Sequence, residues 1–327
     1  VAALTALAAG LALCLVAGLV FGAGRVGFAD VLGGPAAAGS PGRAILLDVR
    51  LPRVLLAALL GGALTVAGVV FQALLRNPLA DPYVLGVSGG ASIGGVLALM
   101  AGLGAGTLGV PIAAFAGALA SLVLLSRLST VGGRLTVYTV LLTGAIFNAF
   151  SAALIYFLQS MASLEQLHSI VFYLMGRVPS LGAGTLALLG AAVLAAVGAL
   201  WTMTRDYNAL TLGEEGARYL GVDIERVKRR SLVLGSLLTA LAVSAAGMIG
   251  FVGLIVPHLL RLLLGPDNRL LVPAGFLGGA AFLVLSDLVA RVALAPNELP
   301  VGVVTALVGG PFFLYLLRAR SRRHGTD

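Results

Sequence analysis

The chain has 327 residues, 59% of them hydrophobic and 10% charged, with a mean hydropathy of +1.06. Soluble domains carry about 25% charged residues, so this composition excludes a water-soluble globular domain and marks an integral membrane protein. The net charge of +8 does not call for a nucleic-acid partner, because the basic residues are scattered among loops between apolar spans, where membrane topology accounts for them. All 21 basic residues except Lys228 are Arg, and the single Cys14 excludes an intrachain disulfide. A glycine count of 45 with 6% aromatic residues fits close helix packing in lipid.

A spanning helix needs about 20 apolar residues. That length predicts ten spans in one all-α membrane domain covering residues 1–327, near 2–23, 53–75, 84–103, 107–127, 137–159, 181–204, 231–249, 250–265, 270–294 and 299–318. The first apolar run, Val1 to Phe21, is too long for a signal peptide and has no charged lead-in or clear cleavage site, so it is expected to be a span. Asn77-Pro78 and Asp81-Pro82 break the helical pattern and predict a tight turn between the second and third spans. Gly247, Gly250, Gly253 and Pro257 interrupt one long apolar stretch, so the eighth span is expected to be short and half-buried. Small residues at spacing four (Gly86, Gly90, Gly94; Gly275, Gly279; Gly302, Ala306, Gly310) predict close helix contacts. No clear repeat or low-complexity linker divides the chain.

An even number of spans puts both termini on one side. The side of the C-terminus then carries 15 basic residues and the other side 6, which places both termini in the cytoplasm. The longest hydrophilic run, Arg205 to Arg230, faces the cytoplasm on this reckoning. Within it Glu214 to Leu220 is expected to form a short helix between Gly213 and Gly221, with acids in its first turn and Arg218 near its end, as the helix dipole favours. The run reads either as a solvated loop or as a docking surface.

The chemistry that is absent narrows the function. The sequence holds no G-x-x-x-x-G-K-[ST] phosphate loop, so the chain is not itself an ATPase of that type. His168, His258 and His324 lie in different segments, and no H-E-x-x-H or cysteine pair is available to hold a metal. Neither a catalytic site nor a resident metal is predicted. The spans are nearly free of ionisable groups, with Asp287 the exception. Arg291 follows it by four residues, a spacing that predicts a local ion pair near the outer end rather than a proton relay. The competing classes are a stand-alone ion-coupled or facilitative transporter, a membrane enzyme and a structural scaffold.

Four stretches carry a resemblance: Arg50 to Gly95, with its R-N-P-L-A-D-P element; GEEGARYLGV at Gly213 to Val222; GFVGLIVPHLLRLL at Gly250 to Leu263; and ELPVGVVTALVGGPFFLYLL at Glu298 to Leu317. In this order they resemble the iron-chelate and cobalamin permease family of type II ABC importers over essentially the whole chain. The resemblance implies a homodimeric ten-helix permease in the inner membrane of a bacterium or archaeon. It importing a ferric siderophore, heme or cobalamin would be the function. An external binding protein would deliver the substrate, and a separate cytoplasmic ABC ATPase dimer would hold ATP and Mg²⁺.

The resemblance also implies residue roles. The loop 205–230 is the coupling loop, with Gly213, Glu214, Glu215, Ala217, Arg218, Tyr219, Leu220 and Gly221 meeting the ATPase. Arg50, Arg53 and Arg291 dock the binding protein, against the plainer reading of interfacial anchors. A cytoplasmic gate falls at Leu135 to Thr143, including Leu135, Thr136, Val137, Tyr138 and Thr139, although Val137 and Tyr138 stand where the cobalamin importer carries smaller hydroxyl residues. Thr143, Asn148 and Ser151 of the fifth span line the pathway, Asn148 serving equally as a hydrogen-bond partner of a neighbouring helix. Leu164 to Gly176, with Glu165 and His168, forms an outer helix capping the pathway, and His258 is structural.

Overall fold

Apolar runs in this chain become helices because lipid offers no partner for an open backbone N–H or C=O, and a helix satisfies both internally. The structure is a computed structural model and describes residues 2–22, 41–103, 108–131 and 134–324. In chain order the long helices are α1 (Ala2–Val20), α2 (Leu51–Leu74), α3 (Val87–Met100), α4 (Gly109–Leu128) and α5 (Val137–Met161). After them come the outer helix α6 (Leu164–Leu174), then α7 (Ala183–Thr202) and two short helices, α8 (Thr204–Leu210) and α9 (Glu214–Tyr219). The chain closes with α10 (Ile224–Ala246), α11 (Val252–Leu264), α12 (Asn268–Val292) and α13 (Val301–His324). A π-helical turn, Ile45–Arg50, runs straight into α2.

Seven of these helices are long and apolar enough to cross a membrane, and three shorter apolar ones (α3, α11 and Val301–Tyr315 of α13) fall where the remaining spans were expected. The third span is short because Asp81-Pro82 starts a 3-10 turn, Pro82–Leu85, whose cap is the Asp81 carboxylate accepting from Tyr83 N–H at 2.8 Å. The seventh span begins earlier than its apolar stretch. Asp223 caps α10 through Arg226 N–H, so the basic run Arg226 to Arg230 lies inside the helix. Between α4 and α5 sits a two-residue antiparallel ladder, β1 (Thr130–Val131) and β2 (Arg134–Leu135), with Thr130 opposite Leu135.

Helix α2 is the centre of the bundle, buried almost throughout and packed on α10, α11 and α12. A Cβ at Gly61 would run into the Gly279 carbonyl, so these two helices touch backbone to backbone. The Gly90 and Gly94 row meets Gly117 and Ala113 of α4 in the same way. The row in α13 behaves differently: Gly302 fits against the Met175 and Met248 carbonyls, whereas Ala306 is exposed and nothing approaches Gly310. The break between α10 and α11 is made by Gly247 at φ 71° and Phe251 at φ 69°. At 13 residues α11 is short, as its interrupted sequence predicted, and it is buried over more of its length than the expected half.

Candidate functional site

Basic and hydrophilic residues gather at one end of the bundle. There Arg205 to Arg230 folds into α8, α9 and the first two turns of α10. Gly213 (φ 92°) and Gly221 (φ 81°) bracket α9 in the left-handed region, where a side chain is strained, so this six-residue helix is turned sharply at both ends. Only Ala217 of α9 is buried. Glu215, Arg218, Tyr219, Leu220 and Gly221 are exposed, and Glu214 turns inward to Lys228 Nζ at 2.9 Å. Tyr219 is 92% exposed, beside Leu212 at 69% and Leu220 at 64%. Large apolar side chains are thus left uncovered at the tip of a charged segment.

A cleft of about 260 Å³ lies next to α9, lined by Arg76, Arg218, Glu214, Glu225, Lys228 and the stretch Leu135, Thr136, Val137 and Tyr138. The expected gate and the expected coupling helix are thus neighbours. Thr139 follows in the first turn of α5 and is half-buried.

Helix α5 is apolar all round, and the bundle decides which face it covers. Asn148 Nδ2 donates to the Tyr83 carbonyl at 2.9 Å, and Ser151 is buried against Gly89 while bonded to its own helix at Phe147 O. Thr143 stands at the edge of the covered face. The face left open carries Tyr138, Leu142, Ala145, Ala149, Ala153 and Tyr156 at helical spacing.

At the opposite end of the bundle three arginines meet. Asp287 accepts from Arg53 Nε at 3.0 Å through Oδ1 and from Arg291 Nε at 2.9 Å through Oδ2. Arg53 also bonds Glu298 at 2.9 Å, and the exposed Arg177 lies 3.6 Å from the same carboxylate. Arg50 donates to the Leu19 and Val20 carbonyls at 2.8 Å each, and Arg291 donates to Gly18 O and Phe21 O. The Gly18, Leu19 and Val20 carbonyls are the last of α1 and Phe21 O follows them directly, so they have no partner within the helix, and a cation is the group the negative end of a helix dipole favours. Ser163 and Gln166 form a reciprocal capping box that starts α6. Its His168 is exposed and stacks on Phe172, and Gln166 ties the helix to Met100 O.

With these positions in place, comparison with known proteins is decisive. Residues 10–319 match the FecCD transport family. The chain belongs to that family. It is 43% identical over 285 residues to the cobalamin import system permease protein BtuC of Halobacterium salinarum, covering 85% of this chain and 74% of that one. It is 40% identical over 295 residues to the hemin transport system permease protein HmuU of Yersinia pestis, covering 86% and 85%. A solved metal-chelate type ABC transporter in an inward-facing conformation superposes with a TM-score of 0.82 at 32% identity, covering 96% of this chain and 99% of the other. The protein is therefore an ABC transporter permease of FecCD type, built on that all-helical fold.

In this FecCD permease Arg50, Arg53 and Arg291, expected to dock a binding protein, are 3%, 7% and 4% exposed and engage α1 carbonyls, Asp287 and Glu298. Sequence reasoning read the Asp287–Arg291 pair correctly from its spacing, but missed Arg53 because its acid lies in a distant helix. Asn148 takes the hydrogen-bonding role that its position equally allowed, through the Tyr83 carbonyl, and Ser151 packs on Gly89 of α3, while the exposed α5 row from Tyr138 to Tyr156 was anticipated only at Tyr138. The sequence signal for it was only a run of small residues, Ala145, Ala149 and Ala153, between two tyrosines. Arg25, counted on the outer side, lies outside the described residues.

Proposed function

We propose that this chain is the membrane subunit of an importer for a large metal-chelate nutrient of the cobalamin, heme or ferric-siderophore class. ATP with Mg²⁺ is hydrolysed by a separate ATPase dimer docked on α9 in the cytoplasm. The observation that carries this reading is the Tyr219, Leu220 and Leu212 tip, apolar and exposed on a helix otherwise held by Ala217 and Glu214. An apolar tip of this kind fits a cleft on a partner, and the FecCD relatives include permeases named for cobalamin and hemin transport.

In this reading two copies of the chain face each other across the open α5 row, which is uncharged and so favours release over tight capture of the chelate. Both termini lie in the cytoplasm of a bacterial or archaeal cell, by the excess of arginine at the α9 end. A binding protein outside meets the exposed surface around α6, including Glu165, His168 and Arg177, while the three buried arginines hold that surface in shape.

ATP hydrolysis by the reconstituted complex tests the reading, with cobalamin, hemin and a ferric siderophore each loaded on a binding protein. Stimulation by one of them names the substrate. Transport of a chelate by the purified chain alone would overturn the reading in favour of a stand-alone transporter.

A further inference from the structure

Lys228 is the only lysine in a chain whose other basic residues are all arginine. It is 5% exposed. Its ammonium lies 2.9 Å from Glu214 Oε1 of α9, 3.2 Å from the Leu135 carbonyl of β2 and 3.9 Å from Glu225 Oε1 of its own helix α10. The ammonium thus bonds acceptors of two elements, α9 and β2, with Glu225 of its own helix at ion-pair range, and it carries its three N–H donors on one compact point where a guanidinium spreads its donors over a planar fork.

Leu135 is held from both sides of its peptide. Its N–H donates to Glu225 Oε2 at 2.9 Å, and its carbonyl accepts from Lys228. The residue is buried and forms the end of the short ladder with Thr130. Thr136, the next residue, is the N-cap of α5 and makes no side-chain cap bond, so the start of α5 is tied by the Leu135 anchorage together with the Thr136 N–H, which donates to the Ser129 carbonyl at 3.5 Å. On the other side, α9 is attached to the bundle by little beyond Ala217 and the Glu214 bridge, between two glycine turns, with the 260 Å³ cleft beside it. A displacement of α9 therefore loads the Lys228 ammonium, and through it the carbonyl one residue ahead of the α5 cap.

We propose that Lys228 is a positioning residue that joins the ATPase-docking helix α9 to the start of α5, so that movement of Glu214 is passed to the open face of α5 through the Leu135 backbone. The proposal rests on the reading of α9 as the docking helix.

The test uses the complex of the full chain with its ATPase in nanodiscs, with Cys14 replaced by Ala and a reporter thiol introduced as Leu142→Cys on the open face of α5. The rate of thiol labelling by a charged maleimide is compared without nucleotide and after vanadate trapping with ATP, in complexes that still hold the ATPase. Wild type is expected to change its labelling rate on trapping. Lys228→Met and Glu214→Gln are expected to shrink that change by about fivefold or more, the least that a coupling free energy of ordinary size would cost. Lys228→Arg keeps the charge but not the three-way geometry and is expected to restore only part of it. Glu214→Gln keeps the test decisive if Lys228→Met fails to fold, because it leaves the Lys228 to Leu135 bond in place. A merely structural role would lower thermal stability without altering the nucleotide response. Wild-type responses in both variants, no response in wild type itself, or loss of ATPase binding by both variants would each overturn the junction. Tyr219→Ala separates the underlying reading: weakened ATPase binding supports docking by α9, and undiminished binding removes that reading and with it the input the junction would transmit.

Discussion

Arg53 donates through Nε to Asp287 Oδ1 at 3.0 Å, joining the first turn of α2 to a residue 234 positions later in α12. Asp287 is 1% exposed and pairs with Arg291 through its other oxygen, so one carboxylate bridges two buried guanidinium groups, with Glu298 supplying the second negative charge to Arg53. Removing it leaves both cations desolvated with Glu298 as the remaining acid. Asp287→Ala is expected to cost about 3–5 kcal/mol, the range for breaking a buried ion pair, read as a fall in thermal unfolding temperature in detergent. Replacing Arg50, Arg53 and Arg291 together by Glu is expected to abolish folded protein, measured by size-exclusion yield, rather than to weaken a binding partner selectively.

Tyr83 ties three parts of the bundle together. Its hydroxyl accepts from Ile249 N–H at 2.9 Å in the break between α10 and α11, while its carbonyl accepts from Asn148 of α5. Tyr83→Phe leaves the Ile249 N–H without this acceptor in a partly buried position and is expected to cost about 1–3 kcal/mol. Faster hydrogen exchange at Ile249, with little change at α7, would locate the effect.

Asp81 gives the fold a pH dependence. Burial pushes its carboxyl up to about 6, although the Tyr83 N–H bond pulls the other way. In the unfolded chain the group titrates near 3.9, so the folded state binds the proton more tightly. The stability this provides is full below about pH 4 and is lost as pH rises to about 6. Asp81 keeps some solvent contact, which reduces the loss to about 1–2 kcal/mol. Thermal unfolding compared at pH 4.5 and 7 is expected to show the decline in wild type, and Asp81→Asn, which keeps a cap acceptor, is expected to flatten it.

The two faces of α5 predict opposite phenotypes. Ala149 is exposed on the open row, so Ala149→Trp is expected to leave the fold intact and, on the proposed reading of that row as the pathway wall, to reduce chelate uptake about tenfold or more. Ser151 is packed on Gly89, so Ser151→Trp is expected to lose folded protein instead. Uptake into proteoliposomes, together with a size-exclusion profile for each variant, distinguishes the two outcomes.

Local period and composition determined much of this molecule. Ten apolar stretches, the turn at Asp81-Pro82, the break at Gly247 and the short helix from Glu214 follow from residues adjacent in the chain, because spanning length, capping and glycine conformation are local properties. The Asp287–Arg291 pair was legible for the same reason, its partners being one helical turn apart. What the tertiary structure alone decided are relations between distant segments: Arg53 with Asp287, Arg50 with the end of α1, and Lys228 with Leu135. An arginine at a span end looks the same in sequence whether it reaches outward or inward, since only a partner elsewhere in the fold lets it be buried. On α5 both faces are apolar, as lipid and helix neighbours both require. The small polar side chains Asn148 and Ser151 are the one mark of the covered face, and packing against α3 and Tyr83 chose it.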